Sequence, residues 1–181
     1  MKRDGTLPRA GANFILRRLS DDDLSVFQAY RHDVELGRYQ GWSPMTDAEA
    51  QAFLLEMASA PLLQPGSWTQ IGIAEPDNQC LIGDVGLFLG EDESFAEIGF
   101  TLARKAQGRG VATAAICEAI RLVFECSAAD RLIGITDSRN LASVRLLERV
   151  GMRKVETRNV VFRDEPCVEL VYQVFRGDRH G

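Results

Sequence analysis

The sequence predicts one mixed α/β domain built on a single, mostly antiparallel sheet flanked by about four helices. Three observations carry that reading. The chain has 181 residues, 45% apolar and 26% charged, enough to close a core without a disulfide or metal staple. Its apolar periodicity switches repeatedly between the two-residue repeat of strands and the 3.6-residue repeat of helices. Clusters of Gly, Pro, Asn and Asp mark the switches, and no internal repeat or linker divides the chain. Residues 1–181 read as one domain, with residues 1–12 expected as a flexible N-terminal tail.

Residues 14–19 alternate apolar and polar and read as the first strand. Ser20 followed by three aspartates is an N-cap with acids in the first turn, so a helix is expected to about Val34, with Leu24, Phe27, Tyr30 and Arg31 at helical spacing. An aromatic loop over residues 37–44 carries Tyr39 and Trp42. Thr46 and Glu49 form a capping box that opens a second helix, with Ala50, Phe53, Leu54 and Met57 on its apolar face. Short strands over 67–75, 80–89 and 95–102, separated by turn residues, predict an antiparallel meander. Helical spacing returns over 110–126. A strand over 131–136, a helix over 140–150 stopped by Gly151, and strands over 154–162 and 167–175 complete the order.

Charge and residue usage exclude several functions. A net charge of -5 opposes the counterion release that drives nucleic-acid binding, so no nucleic-acid partner is expected. Lys2, Arg3, Arg9, Arg17 and Arg18 read as a solvated tail and strand edge. The four cysteines form no C-x-x-C pair, and His32 and His180 are the only histidines. A zinc site or a Ser-His-Asp triad therefore has little to work with, and no metal is expected. The start lacks an apolar leader and no apolar run spans a bilayer, which predicts a soluble, cytoplasmic protein without membrane attachment.

The chemistry concentrates in Gln107, Gly108, Arg109, Gly110, Val111 and Ala112, which join a predicted strand to a predicted helix. Two glycines permit close backbone approach and the helix start presents unpaired N–H groups, a combination suited to an anion; the same residues also fit a plain glycine-rich connection. The dinucleotide fingerprint fails because Thr113 stands where a third glycine belongs, and the phosphate-loop lysine is absent. Q-x-x-G-x-A, at Gln107, Gly110 and Ala112, resembles the pyrophosphate loop of the GNAT superfamily of acetyl-CoA-dependent N-acetyltransferases. Residues 97–102 stand where that family has its fourth strand, and residues 140–152 where it has its second motif. With the loop at Trp42, the pattern looks most like the branch containing ribosomal-protein alanine N-acetyltransferases.

The resemblance implies a sheet splayed between the family's fourth and fifth strands, with acetyl-CoA as cosubstrate in the gap. Phe100, Thr101 and Leu102 would pair with its pantetheine, and Gln107 to Ala112 would hold the pyrophosphate. Arg104, Lys105 and Arg109 either add charge for the phosphates or are solvated. Asn140 serves as a helix N-cap, as a cofactor contact, or as both.

An acceptor amine must be neutral to attack, at a cost of about 4 to 5 kcal/mol for a lysine-like amine at pH 7 and about 1 kcal/mol for an α-amine. Glu97, at the start of the strand entering the motif, is the candidate base, and an exposed strand acid is the alternative. Relatives place a tyrosine seven residues beyond the asparagine, where this chain has Leu147. Ser143, three residues after Asn140 and so on the same helical face, matches the serine that substitutes in the alanine N-acetyltransferase branch, which implies it as the candidate acid; otherwise it is a small helix residue. Tyr39, Trp42 and Trp68 are candidate acceptor contacts or core aromatics. Asp84, Glu91, Asp92 and Glu93, read as acids near the mouth, favour a cationic acceptor, although Glu91 to Glu93 also read as a solvated hairpin. The expected partner is an amine, either a protein N-terminus or a small molecule, and the protein itself a monomer or homodimer. The rival reading is a catalytically idle acyl-CoA-binding module.

Overall fold

The computed structural model describes residues 7–178; Lys2, Arg3 and His180 lie outside the described residues. The elements are β1 (Arg9–Ala10), β2 (Ile15–Arg17), α1 (Leu24–Arg31), α2 (Val34–Gly37), α3 (Asp47–Ser59), β3 (Trp68–Ala74), β4 (Leu81–Leu89), β5 (Phe95–Leu102), α4 (Val111–Cys126), β6 (Arg131–Asp137), α5 (Leu141–Arg149), β7 (Arg153–Phe162) and β8 (Glu165–Phe175). The strands form one sheet in the order β1-β2-β3-β4-β5-β6-β8-β7. β5 and β6 run parallel, whereas every other neighbouring pair is antiparallel.

That parallel pair organises the molecule. Pairing covers only Phe95 to Glu97 against Arg131 to Ile133, while β5 continues to Leu102 and β6 to Asp137. Past Glu97 and Ile133 the strands part and the sheet opens as a V, the splay expected between the family's fourth and fifth strands. The main core lies where α4 and α5 pack on one face, with Ile98, Leu132, Ile116 and Tyr172 among its residues. A second cluster, including Leu19, Phe27, Leu54 and Leu81, seats α1 and α3 on the other.

The predicted N-cap at Ser20 and the predicted capping box at Thr46 both form, the first also as a capping box. Ser20 and Asp23 cap a 3-10 turn that leads into α1, and Thr46 with Glu49 caps α3. The helix expected to run to Val34 is broken, because Asp33 accepts from the backbone N–H groups of Glu35 and Leu36 and starts α2 afresh. The tail expected through residue 12 gives way at Arg9 and Ala10, which pair with β2. Arg9 also reaches Glu118 at 3.0 Å and Glu125 at 2.7 Å. Those glutamates stand seven residues apart, two turns along one face of α4, so a single guanidinium meets both.

Asp84 departs furthest from expectation. It is wholly buried in β4, a strand covered on both faces, rather than at a solvated mouth. A carboxylate is stable there only with donors, and Tyr30 Oη, Arg31 Nη2 (2.7 Å) and Gln70 Nε2 (2.6 Å) supply them.

Candidate active site

The V holds a cleft of about 640 Å³. One wall is the end of β5, through Phe100, Thr101 and Leu102; the opposite wall is α5, through Asn140 and Ser143, with Tyr39 closing one side. Gln107, Gly108 and Gly110 of the loop and the first turn of α4 complete it, lining the same space.

The loop conformation follows from its glycines. Gly108 and Gly110 have φ of 77° and 73°, and a Cβ at either would meet nothing within 4 Å. The requirement is therefore on the backbone, which visits this left-handed region cheaply only without a side chain. Gly110 is the N-cap of α4 and offers no side-chain cap, so the N–H groups of a sixteen-residue helix open on the cleft without a side-chain acceptor. Gln107 Nε2 donates to the Leu102 carbonyl at 3.0 Å and ties the loop to the end of β5.

Arg109 stands apart from its loop neighbours. Its Nη2 pairs with Glu75 at 2.8 Å, and it lines a separate hollow with Lys105 and Asp77, because its side chain leaves the loop on the side of the β3–β4 turn. Arg104 is likewise engaged, by Asp33, and that pairing holds the Asp33 carboxyl down at about 2.

On α5, the Asn140 side chain accepts from the Ser143 N–H at 3.3 Å while both residues line the cleft, so capping and cleft contact coincide. Leu147 is buried and packs over Gly134: a Cβ at residue 134 would come within 2.8 Å of the leucine side chain. The absence of a side chain on β6 is what admits a large residue at position 147. Leu147, Gly99 and Ser143 border a narrow slot at the inner end of the cleft.

Glu97 is the last β5 residue paired with β6, at the apex of the V, and does not line the cleft. Strand alternation puts it on the face shared by Gly99 and Thr101, opposite the face that packs Ile98 under α4. Burial raises its carboxyl above the ordinary range, Glu169 adds to the rise, and Arg158 opposes it.

The three aromatics separate. Tyr39 lines both cleft and slot. Trp42 is structural: Nε1 donates to Thr101 Oγ1 at 3.1 Å and its ring carries the Arg31 guanidinium at 4.6 Å. Trp68 lies on β3, beyond β4 from the cleft, and packs against Phe88 at 5.5 Å. Register sets Trp68 opposite Phe88 and Phe88 opposite Glu97, so the three share one face of the sheet, but Trp68 lines neither the cleft nor the slot.

Sequence reasoning missed Arg163. At the tip of the β7–β8 hairpin it donates to the carbonyls of Gly37 (3.2 Å), Gln40 (3.0 Å) and Trp42 (2.9 Å), strapping the aromatic loop to the far side of the sheet. It also missed Gln40, whose Nε2 donates to the Phe100 carbonyl at 3.3 Å. Among the described residues no group of three His, Cys, Asp or Glu is placed to hold a metal ion, and no helix is long and apolar enough to cross a membrane.

Comparison with known proteins joins this geometry to a family. The pattern of the acetyltransferase (GNAT) domain matches residues 13–153. Over 142 residues the chain is 30% identical to the uncharacterized N-acetyltransferase YoaA of Bacillus subtilis (strain 168), spanning 77% of this chain and 79% of that one. Its fold is similar to that of a GNAT-family acetyltransferase from Bacillus anthracis, with TM-score 0.82 at 18% identity over 93% of this chain and 98% of the other. It is similar also to spermidine N-acetyltransferase from Vibrio cholerae, solved with CoA and spermine, with TM-score 0.79 at 16% identity over 93% and 98% of the two chains. The match of residues 13–153, across the sheet, the glycine loop and α5, establishes that the chain belongs to the GNAT acetyltransferase family.

Proposed function

We propose that the protein transfers an acetyl group from acetyl-CoA to a primary amine. The observation that carries the reading is the opened sheet: the start of α4, suited to an anion, lies at one end of a cleft that runs along β5 toward the apex of the V, where Glu97 stands just outside the lining. The cleft volume suits a cosubstrate of this size. The edge of β5 from Phe100 to Leu102 is not paired with β6 and, although the Phe100 and Leu102 carbonyls already accept from Gln40 and Gln107, its remaining groups suit an extended amide-bearing arm. Gln107, Gly108, Gly110, Val111 and Ala112 would hold the pyrophosphate, with Asn140 at the side of the arm; Arg109, committed to Glu75, contributes charge at a distance.

Acetyl-CoA supplies an activated acyl group, and the chain supplies position and proton traffic. Glu97, with its raised carboxyl pKa, is suited to take the proton of the incoming amine directly or through one water. The Ser143 hydroxyl borders the slot and is the candidate donor to the departing thiolate. Tyr39 is the remaining candidate for acceptor contact. Trp42 serves by holding the loop that bears Tyr39, and Trp68 falls outside the proposed site.

The test is release of CoA thiol from acetyl-CoA across peptides with Ala, Ser or Met N-termini, polyamines and amino acids. Turnover lost in Glu97→Gln supports the reading. Protein that binds acetyl-CoA yet releases no thiol with any amine refutes it in favour of an idle acyl-CoA-binding module.

A further inference from the structure

Among the cavities this reading leaves unassigned, one lies beside Tyr39. A hollow of about 280 Å³ lies at the tip of the β7–β8 hairpin, lined by Arg38, Tyr39, Arg139, Phe162, Arg163 and Glu165. Three arginines and a single acid thus line it. How each is held decides how much positive charge remains. Arg139 is neutralised and fixed by Asp137, through Nε to Oδ1 at 3.0 Å and Nη2 to Oδ2 at 2.8 Å. Arg163 is fixed by three backbone carbonyls, which orient it without supplying a counter-charge. Among the described residues the one carboxylate paired with Arg38 is Glu35 at 3.7 Å, with both side chains about 60% exposed, a contact that solvent screens almost entirely.

The hollow is also shaped. The Arg38 and Arg139 guanidinium groups lie 6.0 and 5.3 Å from the Tyr39 ring centre, and Arg163 lies 4.9 Å from that of Phe162. Aromatic faces hold the planar forks in fixed orientations. Tyr39 also borders the cleft and the slot at its inner end. One ring therefore separates the hollow from the place of transfer. No residue of the Gln107 to Ala112 loop lines the hollow.

We propose that this hollow receives an oxyanion, a carboxylate or phosphate, carried by the amine acceptor itself, whose amine reaches past Tyr39 into the slot. The proposal rests on the acetyltransferase reading and narrows its acceptor. Guanidinium forks match the geometry of both oxyanions. The acidity of the whole chain points toward a cationic acceptor, but Asp84 is buried and neutralised by Arg31, and binding answers to the charge at the site.

The experiment compares ω-amino carboxylates of rising chain length with aminoalkyl phosphates of the same lengths and with the matching neutral amides, by CoA thiol release. The expected result is one chain length at which an acid is turned over with kcat/KM at least tenfold above its amide; whether carboxylate or phosphate leads identifies the oxyanion. Arg38→Glu then raises KM for that acid about tenfold with little change in kcat, and Glu165→Gln lowers it. Equal use of acids and amides at every length overturns the role of the hollow and leaves the acetyltransferase reading standing. A change in KM for acetyl-CoA but not for the acid in Arg38→Glu also overturns it, by assigning the hollow to the cosubstrate. Absence of turnover with every amine removes the acetyltransferase reading and this proposal with it.

Discussion

Removing the Asp84 carboxylate is expected to cost this protein a large share of its stability. Asp84 and Arg31 Nη2 meet at 2.7 Å with side chains 0% and 3% exposed, and the buried Arg31 Nε has no hydrogen-bond partner among the described residues. Asp84→Ala leaves a buried guanidinium unpaired, a loss of about 3–5 kcal/mol, set against a total of about 5–15 kcal/mol for an ordinary domain. At about 2–4 °C per kcal/mol for a chain of this size, Tm falls by roughly 6–20 °C. Tyr30 and Gln70 lose their acceptor too, which places the result toward the upper end. The diagnostic comparison is Arg31→Met in the Asp84→Ala background. Deleting the orphaned charge should recover at least half of the loss, since an apolar replacement of a buried pair is often close to neutral. Urea unfolding at pH 7 measures both variants. A single variant within about 1 kcal/mol of the parent, or a double variant no better than the single, refutes the argument that burial of an unpaired charge governs this site.

Gly110→Ala forces a β-carbon into the left-handed region at a cost of about 1–2 kcal/mol, and because the space around it is open the protein should still fold; calorimetry should show acetyl-CoA binding weakened at least tenfold. Turnover should fall on the acid side as Glu97 takes up its proton, at a pH above the ordinary carboxylate range because its pKa is raised; that limb should vanish from what remains of the pH–rate profile in Glu97→Gln. Folded-state stability linked to Glu97 has the matching sign: it is largest at low pH and declines as pH rises through the raised pKa. Leu147→Tyr, which introduces the tyrosine that the family resemblance would place there, should lower stability by about 1–3 kcal/mol through overpacking against Gly134, and thiol-release assays should show no gain in rate.

The periodicities legible in the sequence belong to elements whose burial is one-sided. α4 and the capped start of α3 follow directly from their patterns, and the glycine loop is legible because positive φ demands glycine at Gly108 and Gly110. Asp84 was misread because an acid in an apolar strand carries no local sign of its donors; Tyr30, Arg31 and Gln70 are brought to it by helix packing and by β3. Arg163 was invisible for the same reason, since its three acceptors are backbone carbonyls more than a hundred residues earlier. The resemblance groups Tyr39, Trp42 and Trp68 as acceptor contacts, and only the folded arrangement, in which Tyr39 alone of the three lines the cleft and slot, separates them. The split between α1 and α2 was in principle readable, because Asp33 is a good N-cap, but continuous helical spacing to Val34 masked it.

The opened sheet has a consequence for how long the molecule survives. Past Glu97 and Ile133, β5 and β6 leave main-chain groups facing a gap instead of each other, so the unliganded fold lacks cross-strand bonds at its centre. Any compound that bridges the gap is linked to the folding equilibrium: at one hundred times its Kd it adds about 2.7 kcal/mol, which for a chain of this size raises the midpoint of thermal unfolding by roughly 5–11 °C. Local opening, and with it proteolysis, would then begin at α5 and the strand edges beside the gap when the compound is scarce. Supply of the ligand would set the lifetime of the protein as well as its rate of work.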